Sequence, residues 1–245
     1  MSTSSSQVRR VGVLAVLSVL LIEILIAWVV WRGWHEAVAV AYKDANLMTR
    51  LLAEKTSDAF RTTDLVLLSI KSALEQGPAL SENDPGLRER LQQRTGDLPY
   101  VRAFFVVDAT GFIAHDTDYP NTPRRTLADR DYFIAHKKDP GLGLYVGMPL
   151  WSLSVDKWFV PVSRRIERDG AFAGVAVTAI EPRFFEDFYR ALELGPHDAV
   201  ALFNIDTTLV ARFPNAPDLV GKQLSELSLF KQRLRCEPLR SSGPE

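Results

Sequence analysis

The 245-residue sequence contains one cysteine, Cys236, and four histidines. A single thiol cannot close an internal disulfide or build a thiolate cluster, so the fold must rest on its core, as an oxidising compartment would allow. His35, His115, His136 and His197 show no metal-ligand spacing and are expected on the surface or in loops, so no metal site and no cofactor is predicted. Charge of one sign is also missing. The 29 basic and 30 acidic residues give a net charge of -1, which offers no footprint for a phosphate backbone and argues against a nucleic-acid partner. A phosphate-cradling glycine loop and a nucleophile elbow are both absent. No catalytic residue is nominated, and this chain is not expected to be an enzyme.

What the sequence does have is one long apolar run. Val11 to Trp31 spans 21 residues, interrupted only by Gly12, Ser18 and Glu23. As a helix it would cover about 31 Å, enough for a hydrocarbon core about 30 Å thick. It exits through Trp28, Trp31, Arg32 and Trp34 instead of a small-residue cleavage site, which favours an uncleaved anchor over a signal peptide. Arg9 and Arg10 precede the run, but Arg32, Lys43 and Arg50 follow it, so charge does not set the orientation. The bulk of the chain beyond residue 31 places the main body outside the cytoplasm. Glu23 within the run reads either as a dimer-contact or relay residue or as a tolerated neutral carboxyl.

From Trp34 to Gln76 there is no glycine or proline, and Ala41, Ala45, Met48, Leu52, Thr56, Ala59, Thr63, Val66 and Ile70 recur at helical spacing. This predicts a stalk helix of about 64 Å continuing the membrane helix. Gly77-Pro78 ends it, and Ser81 to Gly86 is expected as a loop. Beyond Tyr100 the texture turns to strands: a hairpin over Val101–Asp108 and Phe112–His115, then Leu144–Met148, Trp158–Glu167 and Ala171–Ile180, the last two joined at Arg168-Asp169-Gly170. Thr126 with Asp129 predicts a capping box for a short helix through Lys138. Pro182 opens a helix to about Leu192, and Ala199–Ile205 with Leu209–Phe213 begin a second hairpin. Asp116 and Asp118 are expected as solvated turn residues.

The segment Asp129-Arg130-Asp131-Tyr132-Phe133, with Tyr145, Trp151 and Trp158 downstream, carries the candidate site. A planar guanidinium among aromatic rings suits a small carboxylate, because the fork binds two oxygens and the rings exclude water. From residue chemistry alone the stronger reading is that Tyr132 and Phe133 are core residues and Arg130 pairs with Asp129 or a later aspartate.

The order of these pieces resembles the extracytoplasmic double Cache (PDC) sensor domain of bacterial receptors. The stretches that carry it are the stalk helix ending near Gln76, Phe104 to Phe112, Arg130-Asp131-Tyr132-Phe133, and Pro161 to Ile166 running through Asp169-Gly170 to Gly174-Val175. The Phe184 to Tyr189 helix and Leu209 to Pro214 are similar to those of sensor diguanylate cyclases and histidine kinases. The resemblance implies an α+β fold: a transmembrane helix continuing into the stalk, a PAS-like antiparallel sheet module that binds small molecules, and an incomplete second module. It divides the chain into a cytoplasmic tail (1–10), a membrane helix (11–31), a stalk (34–76), a membrane-distal module (77–195) and the start of a membrane-proximal module (196–245).

The same resemblance moves Arg130, Tyr132 and Phe133 towards a ligand role. The amino-acid-binding branch carries a tryptophan where Tyr132 stands and an ammonium-binding aspartate where Ala179 stands, so a carboxylate without an ammonium, or no soluble ligand, is expected. It also implies a bacterial inner-membrane protein with a periplasmic body, a homodimer through stalk and membrane helices, and a parent protein of the diguanylate cyclase or histidine kinase type. No second membrane run and no output signature follow, so the chain reads as the N-terminal portion of such a receptor. The alternative is an anchored interaction protein without output that pairs with a full-length receptor.

Overall fold

The computed structural model describes residues 4–76, 85–96, 98–118, 125–152, 155–192, 195 and 198–226. It divides into two units, residues 1–56 and 57–245. The first unit is helical throughout its described residues, within α1 (Ser4–Gln76), and Gly33 does not interrupt that helix. One stretch of it is long and apolar enough to cross a membrane. Leu20 to Trp34 include eleven large apolar side chains with roughly half or more of their surface open.

The second unit is built on an antiparallel sheet whose strands alternate between two covered faces. It contains β1 (Val101–Asp108), β2 (Ile113–Asp116), β3 (Tyr145–Val146), β4 (Leu150–Ser152), β5 (Lys157–Arg168) and β6 (Ala171–Ile180). The order is β2-β1-β6-β5-β3, and β4 also lies along β5. The β5–β6 hairpin closes at Asp169 and Gly170, with φ of 51° and 75°, the pair of positive dihedrals that a tight two-residue turn requires. β1 and β6 run so close that a Cβ on Gly174, itself at φ +146°, would collide with Val107 O.

Side-chain alternation separates the faces. Ala103, Phe105 and Val107 of β1, Val175, Val177 and Ala179 of β6, and Phe159 of β5 pack with Tyr132 and Phe133 in one cluster. Phe104, Val106, Val160, Val162, Ile166, Ala176 and Ile180 are buried on the other side, as are Leu67, Ile70 and Leu74 of α1. Along α1 the buried stripe Ala59, Thr63, Leu67, Ile70, Leu74 has helical spacing. It places Leu67 inward where the sequence pattern pointed to Val66, which is half-buried.

Several sequence expectations are corrected. Pro85-Gly86, expected in a loop, open α2 (Pro85–Gly96). Its sequence hides it because only Leu87 and Leu91 turn inward, one helical turn apart. The short helix α3 is Asp131–Lys138 and has no capping box: Thr126 bridges to Phe112, and its Oγ1 accepts from Ala128 N at 3.3 Å. The strand expected at Leu144–Met148 is shorter, and β4 follows it unannounced. α4 (Pro182–Arg190) stops before Leu192. The second sheet has two described strands, β7 (Val200–Phe203) and β8 (Leu209–Phe213), and in the turn between them Thr207 adopts a left-handed φ of 70°. Gly77-Pro78, His197, Cys236 and the polar tail lie outside the described residues.

Candidate ligand-binding site

Arg130 sits at the N-cap of α3 with extended dihedrals (φ −74°, ψ 142°), one residue outside the helix instead of on its face. Its backbone is used, N donating to Leu127 O and O accepting from Ile134 N. Among the described residues its half-buried guanidinium makes no hydrogen bond and no ion pair.

Asp131 opens the helix. Its Oδ1 accepts from Tyr132 N at 2.7 Å, which satisfies one free amide of the first turn and puts negative charge at the positive helix end. Its Oδ2 accepts from Met148 N at 3.1 Å and from the Tyr145 hydroxyl at 3.4 Å. One carboxylate thus ties α3 to the loop between β3 and β4. Sequence reading passed over Asp131 as a site residue, although an acid at a helix start was the signal.

Tyr132 and Phe133 are both buried to 1% exposure in the sheet cluster, with Ala179 beside them, fully buried. Phe105 meets Tyr132 edge-on, Phe172 meets Phe133 edge-on, and Lys137 Nζ lies 5.6 Å over the Phe133 ring. Tyr145 packs against the same cluster. Trp151 and Trp158 lie outside it, pairing edge-on at 5.4 Å on the β4–β5 hairpin, where Trp151 Nε1 donates to Asp156 Oδ1 at 3.0 Å. A Cβ on Gly221, at φ +78°, would stand 3.0 Å from the Trp158 ring, so that loop of the second sheet needs a glycine to sit there. The structure therefore gathers Arg130, Tyr132, Phe133 and Tyr145 about α3 and sets the two tryptophans apart. A shallow depression of about 270 Å³ lies on the outer side of α3, lined by Ala128, Phe133, Ile134, Lys137 and Lys138.

Two histidines expected on the surface are buried, His115 at 5% exposure and His136 at 0%. His136 Nε2 lies 3.1 Å from Ser163 Oγ, and Nδ1 has no partner. Burial, then the Arg165, Arg164 and Lys71 charges, outweigh the Ser163 bond and lower its pKa to about 4. Burial likewise raises the Tyr132 and Tyr145 hydroxyls. Asp118, expected as a solvated turn residue, is half-buried and pairs with Arg102, yet desolvation still holds its pKa up. Among the described residues no group of His, Cys, Asp and Glu is arranged to hold a metal ion.

None of the curated proteins matches the sequence. The extracellular domain of rpHK1S-Z16, assigned as a histidine kinase, shares 30% identity over 81% of this chain and 81% of its own, with a TM-score of 0.71. The family described as dCache_1-like, histidine kinase sensor domain, matches residues 182–239. The chain belongs to this dCache sensor family. The ligand-binding domain of the Pseudomonas fluorescens chemoreceptor CtaA, solved with L-serine, is 15% identical with a TM-score of 0.56, over 72% of this chain and 73% of that one. That of Pseudomonas aeruginosa PAO1 PctC, solved with GABA, is 17% identical with a TM-score of 0.55, over 72% and 77%. At these identities the likeness is one of fold. The dCache sensor family is non-catalytic, and its order of helix and antiparallel sheet is the one found here.

Proposed function

We propose that this dCache chain is a membrane-anchored extracytoplasmic sensor module that binds a small carboxylate about α3 and hands the change to α1 for signalling across a membrane. The observation that carries this reading is the Arg130 guanidinium, half-buried beside Tyr132 and without a partner among the described residues. A partly exposed guanidinium without a protein partner is open to an anion, and a carboxylate supplies that partner with two oxygens. Arg130 is the anion-binding residue in this proposal, with Tyr132, Phe133 and Tyr145 forming the surrounding wall. Trp151 and Trp158, paired with each other on the β4–β5 hairpin, are left out of this wall. The apolar Ala179 leaves no carboxylate there for a ligand ammonium, which favours acids such as succinate over the serine and GABA of the chemoreceptor neighbours.

In the same reading residues 77–195 are the membrane-distal module, 196–245 begin the proximal one, and the body is periplasmic. Leu65 at 61% exposure and Leu68 at 37% lie one turn apart on α1, an apolar strip that a second stalk in a homodimer would cover. The histidine kinase assignment of the 30% identical relative favours a kinase over a cyclase as the parent output.

Thermal-shift titration of the full chain in detergent with acetate, succinate, GABA, serine and asparagine tests the proposal. The expected result is a rise in Tm with a simple carboxylate that Arg130→Ala abolishes. No rise with any of them, or one indifferent to Arg130→Ala, removes the assignment.

A further inference from the structure

β5 lies between α3 and α1, and its outer edge is covered by different partners along its length. Pro161 O accepts from Gly147 N at 2.8 Å, and Ser163 pairs with Tyr145, so β3 and its flank cover the first part. Among the described residues no strand pairs with the edge beyond Ser163. There the stalk takes the place of a strand. Lys71 Nζ donates to Arg165 O at 3.1 Å, Glu75 Oε1 accepts from Glu167 N at 2.8 Å, and Lys71 and Glu75 pair with each other at 2.6 Å.

The spacing explains the fit. Residues i and i+4 on a helix are separated by about 6 Å along its axis, and residues i and i+2 on a strand by about 6.7 Å. Two outward backbone groups of β5, on either side of the register irregularity between Ile166 and Glu167, meet two side chains one helical turn apart. Arg164 flanks this contact with a two-pronged ion pair to Asp64, its Nη2 lying 2.9 Å from Oδ2, and Arg168 donates to Leu74 O at 2.6 Å.

The opposite side of the same segment, Ser163–Arg168, holds α3. Arg165 Nη1 donates to His136 O at 2.6 Å, Ser163 Oγ contacts the His136 ring, and the Arg165 guanidinium lies 4.8 Å over Phe172 and pairs with Glu167. Side chains of one strand alternate between faces, so consecutive residues grip two different helices.

We propose that the β5 segment Ser163–Arg168 is the element through which the state of α3 reaches the stalk, with Lys71, Glu75 and Arg165 as positioning residues that fix α1 to the sheet in one register. It rests on the reading that α3 carries the ligand. Sliding of α1 along β5 by less than a helical turn, about 5.4 Å, leaves Arg165 O and Glu167 N without their partners. The docked part of α1 therefore follows β5 as one piece.

Hydrogen exchange on the full chain in detergent, without ligand, tests this through reciprocity, since a coupling free energy acts equally in both directions. Arg165→Met cuts the ties to His136 O, to Glu167 and to the Phe172 ring at the start of β6, leaving the backbone oxygen that Lys71 uses. It is expected to raise exchange about tenfold both in residues 132–138 and in stalk residues 67–76, with β1 and the β6 residues 175–180, beyond the Phe172 ring that the guanidinium covers, unchanged. Glu75→Gln weakens the stalk end and is expected to raise exchange in residues 134–138, which it does not touch. Arg165→Lys keeps the charge without the fork and gives the same pattern, smaller, should Arg165→Met not fold. A rise confined to the mutated element, or one spread equally over β1 and β6, overturns the proposal. Neither variant involves a ligand, so this coupling and the Arg130 assignment fail separately.

Discussion

On one face of the sheet Phe105, Tyr132, Phe133 and Phe159 interlock around small β6 residues, and few polar contacts interrupt them. On the stalk side Asp64, Lys71, Leu74 and Glu75 meet β5 through directional bonds between 2.6 and 3.1 Å and a two-pronged ion pair. The two arrangements resist different disturbances. Apolar close packing seats most of α3, with His136 tied to Ser163 and Arg165 at its far end, whereas hydrogen bonds spaced by a helical turn set the register of α1. A sensor needs a packed site and an output that does not slip, and the two sides of β5 divide those properties.

The sharpest way to break the contrast is to hollow out the packed side. Phe133→Ala should lower the stability of the full chain by about 3–5 kcal/mol in chemical denaturation, because the ring is fully enclosed and its cavity cannot collapse onto a rigid sheet.

His136 provides a pH test of the same side. Its pKa in the fold, about 4, lies below the ordinary 6.5, so the unfolded chain binds the extra proton first. Its contribution is complete above pH 6.5 and is lost as pH falls towards 4, roughly 3 kcal/mol over that window. Asp118 and Glu186 are shifted upward and act with the opposite sign. The measurement is therefore the difference between the native chain and His136→Leu in denaturation midpoints from pH 7 to 4, which should narrow as the pH falls.

On the stalk side, Arg164→Met leaves the Asp64 carboxylate, 24% exposed, without its partner and should cost about 2 kcal/mol in the same denaturation assay. Smallest in stability is Leu65→Ser, expected within about 0.5 kcal/mol of the native chain. It should nevertheless reduce crosslinking between copies in membranes if two stalks meet along Leu65 and Leu68.

The strands were legible because their residues obey simple rules. β5 and β6 combine β-branched runs with the Asp169-Gly170 turn, and Pro182 marks the first turn of α4 as only a proline can. α2 was not legible, since two inward leucines among charged residues give hardly any periodicity. The start of α3 was misjudged because Thr126 and Asp129 imitate a capping box, whereas the helix begins at Asp131, whose carboxylate takes the next amide, with Arg130 as an N-cap that makes no side-chain cap bond.

The segment around Arg130 was singled out from its residue types. Its internal wiring depends on contacts between distant residues: Asp131 with Met148, His136 with Ser163, and Lys71 and Glu75 with the edge of β5. The burial of His136 escaped notice for a similar reason. Nothing in a lone histidine at the end of a charged helix announces that Ser163 and Arg165 will close over it.

Hydrogen exchange of the full chain in detergent, compared with and without saturating succinate, tests the central claim most directly. The account predicts slower exchange in residues 131–138 together with stalk residues 64–76, and loss of both effects in Arg130→Ala. Protection that appears in neither region, or in α3 while the stalk stays unchanged, would contradict it.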